Sequence, residues 1–159
     1  MIDTGSKILS LTSALQWRMA QAGTIVFTNG VFDLLHVGHV ELLESARREG
    51  AALIVGVNTD ASVRRLAKGI DRPVTPEGSR ARILAALAAV DCVVLFDQDT
   101  PLELITRLQP DVLVKGADYS RDAIVGADLV EARGGRVVRV PLVSGFSTSS
   151  IVERLRATS

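Results

Sequence analysis

The feature that most constrains the fold is a regular alternation between short apolar runs and segments with helical patterns. Five runs rich in β-branched residues lie at 25–29, 52–57, 92–96, 111–115 and 136–140. Segments with helical patterns flank and separate them at 6–21, 39–49, 60–68, 79–89, 101–108, 123–133 and 148–157. This alternation predicts an α/β fold, with a doubly wound parallel sheet that carries helices on both faces.

The composition fits one globular domain and argues against several classes of partner. The 159 residues are 47% hydrophobic and 23% charged, which is ordinary globular usage. Lys and Arg together number 18, as do Asp and Glu, so no net field attracts nucleic acid or a membrane, and we expect neither as a partner. Cys92 is the only cysteine, and the first residues contain no apolar segment of secretory type. We therefore expect a cytoplasmic protein.

Both histidines of the chain lie in one stretch, TNGVFDLLHVGHVELL, directly after the first predicted strand. In doubly wound sheets, ligands bind beyond the carboxyl ends of the strands. Gly30 permits a turn there, and Gly38 lets a ligand approach the start of the next helix. The helix start offers N–H groups and a positive dipole end, and His36 and His39 add imidazole donors. The stretch predicts a cradle for phosphate.

Other readings of the two histidines are weaker. A zinc site needs three or four ligands, so Cys92 and a carboxylate would have to join the pair. A nucleophile–base pair is disfavoured because the stretch contains neither serine nor cysteine. The third alternative is two ordinary histidines that serve only the fold. We expect Asp33, in the same stretch, to hold the turn by hydrogen bonds rather than to bind a metal.

The sequence HVGH, preceded by NGVFD, resembles the H-x-G-H signature of a nucleotidyltransferase superfamily. Members of that superfamily join a phosphate-bearing molecule to the nucleoside monophosphate of ATP or CTP and release pyrophosphate. The resemblance implies a Rossmann-like fold with a five-stranded parallel sheet in the order 3-2-1-4-5. It also implies a homodimer.

From about residue 24 to 156 the chain resembles, more narrowly, the adenylyltransferases that make ADP-heptose. The similar segments include VNTDASVRRLAKGIDRPV, DQDTPLELI, PDVLVKGADY and GGRVVRVPLVSGFSTSSIV. The resemblance implies transfer of AMP from ATP to D-glycero-β-D-manno-heptose 1-phosphate, for the lipopolysaccharide core. In many bacteria this domain is fused to a sugar kinase, and we expect the stand-alone form here. Residues 1–159 are then one domain, with an N-terminal helix in 1–23 and a catalytic core in 24–159.

The resemblance also assigns roles to individual residues. The catalytic residues would be His36, His39 and Lys115. The nucleotide would be bound by Asn29, Gly30, Phe32, Gly38, Gly116, Ser147 and Thr148. The acceptor side would be formed by Asn58, Asp60, Arg72, Arg80, Asp118 and Tyr119. No protein metal site is expected, because Mg²⁺ would arrive with the phosphates of ATP.

Several of these residues also have a plain structural reading. Lys115 at a strand end can be a solvated tip, and Ser147 and Asp60 can simply cap helices. Arg72 belongs either to a loop that closes over phosphates or to an ordinary surface loop. Tyr119 can stack on a base or pack beneath the loop.

Arg80 matches the arginine of a Glu-Arg motif in the superfamily, but Ser79 stands where the glutamate is usual.

Two rival functions remain open at the level of sequence. A cytidylyltransferase acting on glycerol 3-phosphate or a similar phosphate would share the HVGH chemistry. Enzymes of that type carry an R-T-x-G-I-S-T-T stretch, whereas residues 142–149 here read LVSGFSTS, without the Arg-Thr pair. The other rival is a non-catalytic nucleotide-binding module on the same fold. Such a module would need only some of the imidazole, lysine and serine/threonine groups that this chain combines.

Overall fold

A five-stranded parallel sheet organises the computed structural model, which describes residues 3–66, 69 and 71–158. The strands are β1 (Ile25–Gly30), β2 (Ala52–Asn58), β3 (Cys92–Phe96), β4 (Val112–Gly116) and β5 (Arg136–Val140). Their order is β3-β2-β1-β4-β5, and every neighbouring pair is parallel. The predicted fold class and strand order are confirmed.

Seven α-helices cover the sheet within the described residues. They are α1 (Leu11–Ala20), α2 (Val37–Arg48), α3 (Asp60–Arg65), α4 (Glu77–Ala86), α5 (Leu102–Leu108), α6 (Ala127–Ala132) and α7 (Thr148–Ala157). Two 3-10 turns, Thr4–Lys7 and Arg121–Ala123, precede α1 and α6. Among the described residues, no helix combines the length and the apolar character that a bilayer crossing requires.

The helix ends differ from the sequence prediction where a cap intervenes. The predicted segment 6–21 is divided, because the Ser10 hydroxyl accepts the backbone N–H of Ser13 at 3.1 Å and starts α1 at Leu11. The predicted segment 123–133 becomes helical only after Gly126, whose φ of +84° breaks the chain direction. Residues 67 and 68 of the predicted segment 60–68 lie outside the described residues.

Alternation along β1 divides the core into two layers. Ile25 and Phe27 are fully buried on the face that α1, α5 and α6 cover, whereas Val26 is fully buried on the face of α2 and α4. A strand with both faces covered has no polar side, which explains why the central strands read as continuous apolar runs.

The segment before α1 shields one edge of the sheet. Ile8 forms an isolated parallel bridge with Val93, and the N–H of Leu9 donates to the Val93 carbonyl at 2.9 Å. The Lys7 ammonium donates to the carbonyl of Val90 at 2.6 Å, close to the end of α4. Residues 7–9 therefore occupy part of the open edge of β3, where an unpaired strand would otherwise invite association.

The burial of the single thiol leads to a testable prediction. Cys92 is fully buried in the layer with Ile54, and burial raises the pKa of its thiol to about 12. We expect no reaction of the native protein with a disulfide reagent at pH 8, and one equivalent of thiol in denaturant. Reaction of the native protein as fast as that of the denatured chain would contradict the packing of β3.

Candidate active site

A cleft opens where the strand order reverses, between β1 and β4. The β1–β2 ladder runs to Gly30, but the β1–β4 ladder includes only Val26 and Phe27 of β1. Beyond that point side chains bridge the two strands. Thr28 Oγ1 donates to the Val114 carbonyl at 2.9 Å, and Lys115 Nζ donates to the Asn29 carbonyl at 2.9 Å. The separation leaves a crevice at the carboxyl edge, the usual place for a ligand in such sheets.

The cleft has a volume of about 440 Å³. It is lined by Asn29, Gly30, Val31, Phe32, His39, Leu42, Asn58, Leu66, Asp99, Thr100, Pro101, Lys115, Gly116, Asp118, Tyr119, Ala123, Val125 and Leu142.

The histidine pair starts α2 at the floor of this cleft. His36 is the N-cap residue, and its backbone N–H donates to Nδ1 of His39 at 3.4 Å. The two imidazole rings stack with centroids 3.8 Å apart and planes inclined by 24°. Because Nδ1 of His39 accepts this hydrogen bond, the neutral ring carries its own proton on Nε2. The arrangement makes His39 Nε2 a hydrogen-bond donor for a ligand in the cleft.

Burial keeps both imidazoles uncharged near neutral pH. The pKa of His36 is lowered by desolvation. The pKa of His39 is lowered to about 4, first by desolvation and then by the charge that His36 would carry. The site therefore presents neutral N–H donors at the helix start when it is empty. An anionic ligand would favour protonation and raise both values.

Gly38 and Gly30 lie close to aromatic side chains of this loop. A Cβ on Gly38 would lie 3.0 Å from the His36 ring, and one on Gly30 would lie 3.2 Å from the Phe32 ring. Phe32 itself has a φ of +50°, a conformation that costs a non-glycine residue about 1 kcal/mol or more. Its buried ring lies 5.2 Å from that of His39, at 59°. The loop is thus shaped around the two aromatic neighbours of the cleft.

Asp33 fixes the segment at 72–75 against this loop. Its carboxylate is 2% exposed and accepts the backbone N–H groups of Val74 at 2.9 Å and Thr75 at 2.8 Å. The third donor is Arg72 Nε at 2.5 Å. As expected, Asp33 acts through hydrogen bonds. The bond to Asp33 also engages the Arg72 guanidinium, and Arg72 does not line the cleft.

Arg80 forms a second buried brace. Its guanidinium is fully buried and donates to the carbonyls of Val31 at 2.6 Å and Thr75 at 2.9 Å. It also donates to Asp60 Oδ1 at 2.7 Å. Arg80 and Asp60 were predicted on the acceptor side, but neither lines the cleft. In the structure they connect the β1–α2 loop, the 72–75 segment and the start of α3.

On the other side of the cleft, Lys115 ends β4 beside its glycine neighbour. Its ammonium lies 5.2 Å above the Tyr119 ring as well as donating to Asn29. A Cβ on Gly116 would lie 2.6 Å from Asp118 Oδ1 and 2.9 Å from Leu142, so a larger residue would displace these two side chains. The strand end therefore brings the lysine, the tyrosine and the Asp118 carboxylate to one wall.

The start of α7 adjoins the start of α2. Ser147 is the N-cap, and its hydroxyl accepts the N–H of Ser150 at 3.0 Å while Ser150 Oγ accepts the N–H of Ser147 at 3.2 Å. A Cβ on Gly38 would be 3.8 Å from the Phe146 carbonyl, which shows how close the two helix starts lie. The N–H groups between the two serines, at the first turn of α7, can serve an anion.

The structure brings together nine of the sixteen predicted site residues as lining of one cleft. They are Asn29, Gly30, Phe32, His39, Asn58, Lys115, Gly116, Asp118 and Tyr119. The seven that do not line it are His36, Gly38, Asp60, Arg72, Arg80, Ser147 and Thr148. His36 and Gly38 lie directly behind His39 in the same helix start.

Several lining residues of the cleft were not predicted from the sequence. Asp99, Thr100 and Pro101 follow β3, and Leu142 follows β5. A signal for these residues exists, because ligands in this fold bind beyond the carboxyl ends of the strands. The segment after β3 contains no histidine, lysine or glycine motif, and after β5 the sequence indicated only Ser147 and Thr148.

The structure argues against Cys92 as a partner for the histidines. The thiol is fully buried in the core, and its raised pKa keeps it protonated. Among the described residues, no group of three or more histidine, cysteine and acidic side chains is placed to hold a metal ion. The expectation that Mg²⁺ arrives with nucleotide phosphates stays a prediction.

Comparison with known proteins gives the site its family context. The model of the family described as cytidylyltransferase-like matches residues 27–154, from β1 into α7. The bifunctional protein HldE of Magnetococcus marinus is 64% identical over 138 residues, and that of Syntrophotalea carbinolica is 57% identical over 146. The alignments cover 87% and 92% of this chain but only 28% and 30% of those proteins, so the chain spans less than a third of their length.

One solved structure shares both the fold and a recognisable part of the sequence. It is the lipopolysaccharide core biosynthesis protein of Thermoplasma volcanium, with a TM-score of 0.63 and 26% identity. The superposition covers 77% of this chain and 98% of that one.

The Arg80 brace predicts a large loss of stability on substitution. Arg80→Met leaves the Asp60 carboxylate and two loop carbonyls without their donor, so we expect the free energy of unfolding to fall by about 3–5 kcal/mol. Urea unfolding followed by circular dichroism measures it. The control is Arg82→Met on the exposed side of the same helix. Equal, small losses in both variants would show that the brace contributes little.

The histidine pair predicts a pH dependence of stability. Below pH 6.5 the unfolded chain binds a proton at His39, whereas the pKa of about 4 in the folded chain delays that protonation to near pH 4. The free energy of unfolding should therefore fall as the pH is lowered from 6.5 to 4. His39→Asn keeps an acceptor for the His36 N–H and removes the titration. Its urea midpoint should change less with pH than that of the wild type; identical slopes would refute the lowered pKa.

Proposed function

The chain belongs to the cytidylyltransferase-like family, and from that premise we propose that it is an adenylyltransferase acting on a sugar 1-phosphate. The proposed reaction transfers AMP from ATP to D-glycero-β-D-manno-heptose 1-phosphate and releases pyrophosphate. The identity of 64% to an HldE protein and the likeness to a lipopolysaccharide core biosynthesis protein support this choice of acceptor. The cytoplasmic location and the homodimer implied by the sequence resemblance belong to the same proposal.

One observation carries the proposal: His39, in the first turn of α2, and Lys115, at the end of β4, line the same cleft at the edge where the strand order reverses. A phosphate oxygen of the acceptor is already ionised at neutral pH, so the reaction needs no general base. It needs two polyanions held in line while charge builds at the α-phosphorus. Positioning and electrostatic stabilisation supply most of such catalysis.

Each group has a definite task in this scheme. His39 Nε2–H and the Lys115 ammonium donate to phosphate oxygens from opposite sides, and His36 holds His39 in its tautomer. The N–H groups at the starts of α2 and α7, beside Ser147 and Thr148, add donors for the triphosphate. The exposed Tyr119 ring offers a surface for the adenine. Mg²⁺ bound to the ATP phosphates offsets their charge.

The decisive experiment measures pyrophosphate release with Mg²⁺, crossing ATP and CTP against the heptose 1-phosphate and glycerol 3-phosphate. Release only with ATP and the heptose phosphate supports the proposal. Release with CTP and glycerol phosphate would select the rival cytidylyltransferase. Binding of nucleotide without release in any combination would select the non-catalytic module.

Substitution of the two facing donors tests the chemistry directly. Loss of one donor aimed at the transition state typically lowers kcat by about 10²–10³-fold, and we expect this for both His39→Ala and Lys115→Ala. Circular dichroism should show an intact fold. Arg107→Ala, which removes a positive charge from the exposed side of α5, serves as the control. A near-normal kcat in His39→Ala would contradict the proposed role of His39 as a phosphate donor.

A further inference from the structure

The two walls of the cleft differ in chemistry. Beyond β4 and β5 the lining includes Lys115 and Asp118 together with the apolar surfaces of Tyr119, Val125 and Leu142, three residues that are exposed by 40%, 36% and 60%. Beyond β2 and β3 the lining includes Asn58, Asp99 and Thr100, all with hydrogen-bonding side chains. The apolar surfaces beyond β4 and β5 suit the face of a base, whereas the donors and acceptors beyond β2 and β3 suit a molecule with many hydroxyl groups.

The polar wall is held in place before any ligand arrives. Asn58 is 4% exposed, and its Nδ2 donates to Ser62 Oγ at 3.0 Å. The same hydroxyl donates to the Gln98 carbonyl at 3.0 Å, which ties α3 to the loop after β3. Arg65 Nε donates to Asp99 Oδ1 at 2.8 Å and so orients the carboxylate. Asp99 is nevertheless 65% exposed, so a ligand can reach it.

We propose that Asp99 is a specificity-determining residue that accepts hydrogen bonds from hydroxyl groups of the acceptor sugar, with Arg65 as its positioning residue. The inference rests on the proposed function, because it concerns the acceptor of that same reaction. A carboxylate only accepts hydrogen bonds, and Arg65 uses part of its capacity, which leaves lone pairs for sugar hydroxyls.

The charge of Asp99 also sets the direction of the acceptor. A carboxylate repels the sugar phosphate, whereas His39 and Lys115 attract it. The acceptor is therefore turned with its phosphate toward β1 and β4 and its hydroxyl groups toward β3. Two inter-strand steps, about 10 Å in all, separate β1 from β3. This span suits a seven-carbon sugar that carries its phosphate at one end.

The test compares Asp99→Ala with Asp97→Ala. Asp97→Ala removes the same charge as Asp99→Ala. Asp97 also lies beside Arg65 and is similarly exposed at 62%, but it does not line the cleft. Asp99→Ala should raise the KM for the heptose phosphate about tenfold or more, with kcat and the KM for ATP changed less than about twofold. Asp97→Ala should leave all three constants near the wild-type values. Urea midpoints of both variants establish that they fold, and Asp99→Asn replaces Asp99→Ala if that variant unfolds.

Arg65→Gln should raise the same KM to a smaller extent, because Asp99 remains but loses its orientation. An equal rise in Asp99→Ala and Asp97→Ala would overturn the inference, since the effect would then belong to charge or to the loop. A rise in the KM for ATP alone would place Asp99 on the nucleotide side and overturn it as well. If the wild-type protein itself releases no pyrophosphate with the heptose phosphate, the proposed function fails and the inference fails with it.

Discussion

The site depends on the early end of the β1–β4 ladder. β1 keeps its pairing with β2 as far as Gly30, but its pairing with β4 ends at Phe27. Both strands continue, so their last residues diverge, and polar side chains bridge the gap in place of the backbone. The bridge by Lys115 to the Asn29 carbonyl puts an ammonium at the mouth of the gap. The crevice and the Lys115 ammonium at its mouth thus both result from the early end of the β1–β4 pairing.

Two features beside this crevice are locally unfavourable, and hydrogen bonds from neighbouring residues offset their cost. Phe32 occupies a left-handed conformation, and His39 is buried enough to lose its charge. The buried Asp33 and Arg80 offset such costs by binding the loop on either side of Phe32. Each of these two charged groups satisfies several backbone groups at once, which a hydrophobic substitute cannot do. The brace therefore contributes to the shape of the site without touching the cleft.

The fold was largely readable from the sequence, and the site only in part. Strands such as β3 and β5 were placed to the residue, because short runs rich in β-branched residues favour strands. Helix starts were less accurate, because caps such as Ser10 depend on one hydrogen bond. His39 and Lys115 were found because they follow strands. The pairing of Arg80 with Asp60 was not, since side chains 20 residues apart meet only through tertiary structure.

In the proposed reaction, uncharged imidazoles would suit a site that binds and then releases polyanions. A permanently charged pair would stabilise ATP and pyrophosphate as strongly as the transition state, and such uniform binding does not raise kcat. Neutral donors bind the ground state more weakly. As negative charge grows at the α-phosphorus, it raises the proton affinity of both rings and strengthens their hydrogen bonds. The stacking of His36 on His39 limits this response, because two positive charges 3.8 Å apart repel each other. In the proposed reaction the pair is therefore expected to share at most one proton, which would be lost again when pyrophosphate leaves.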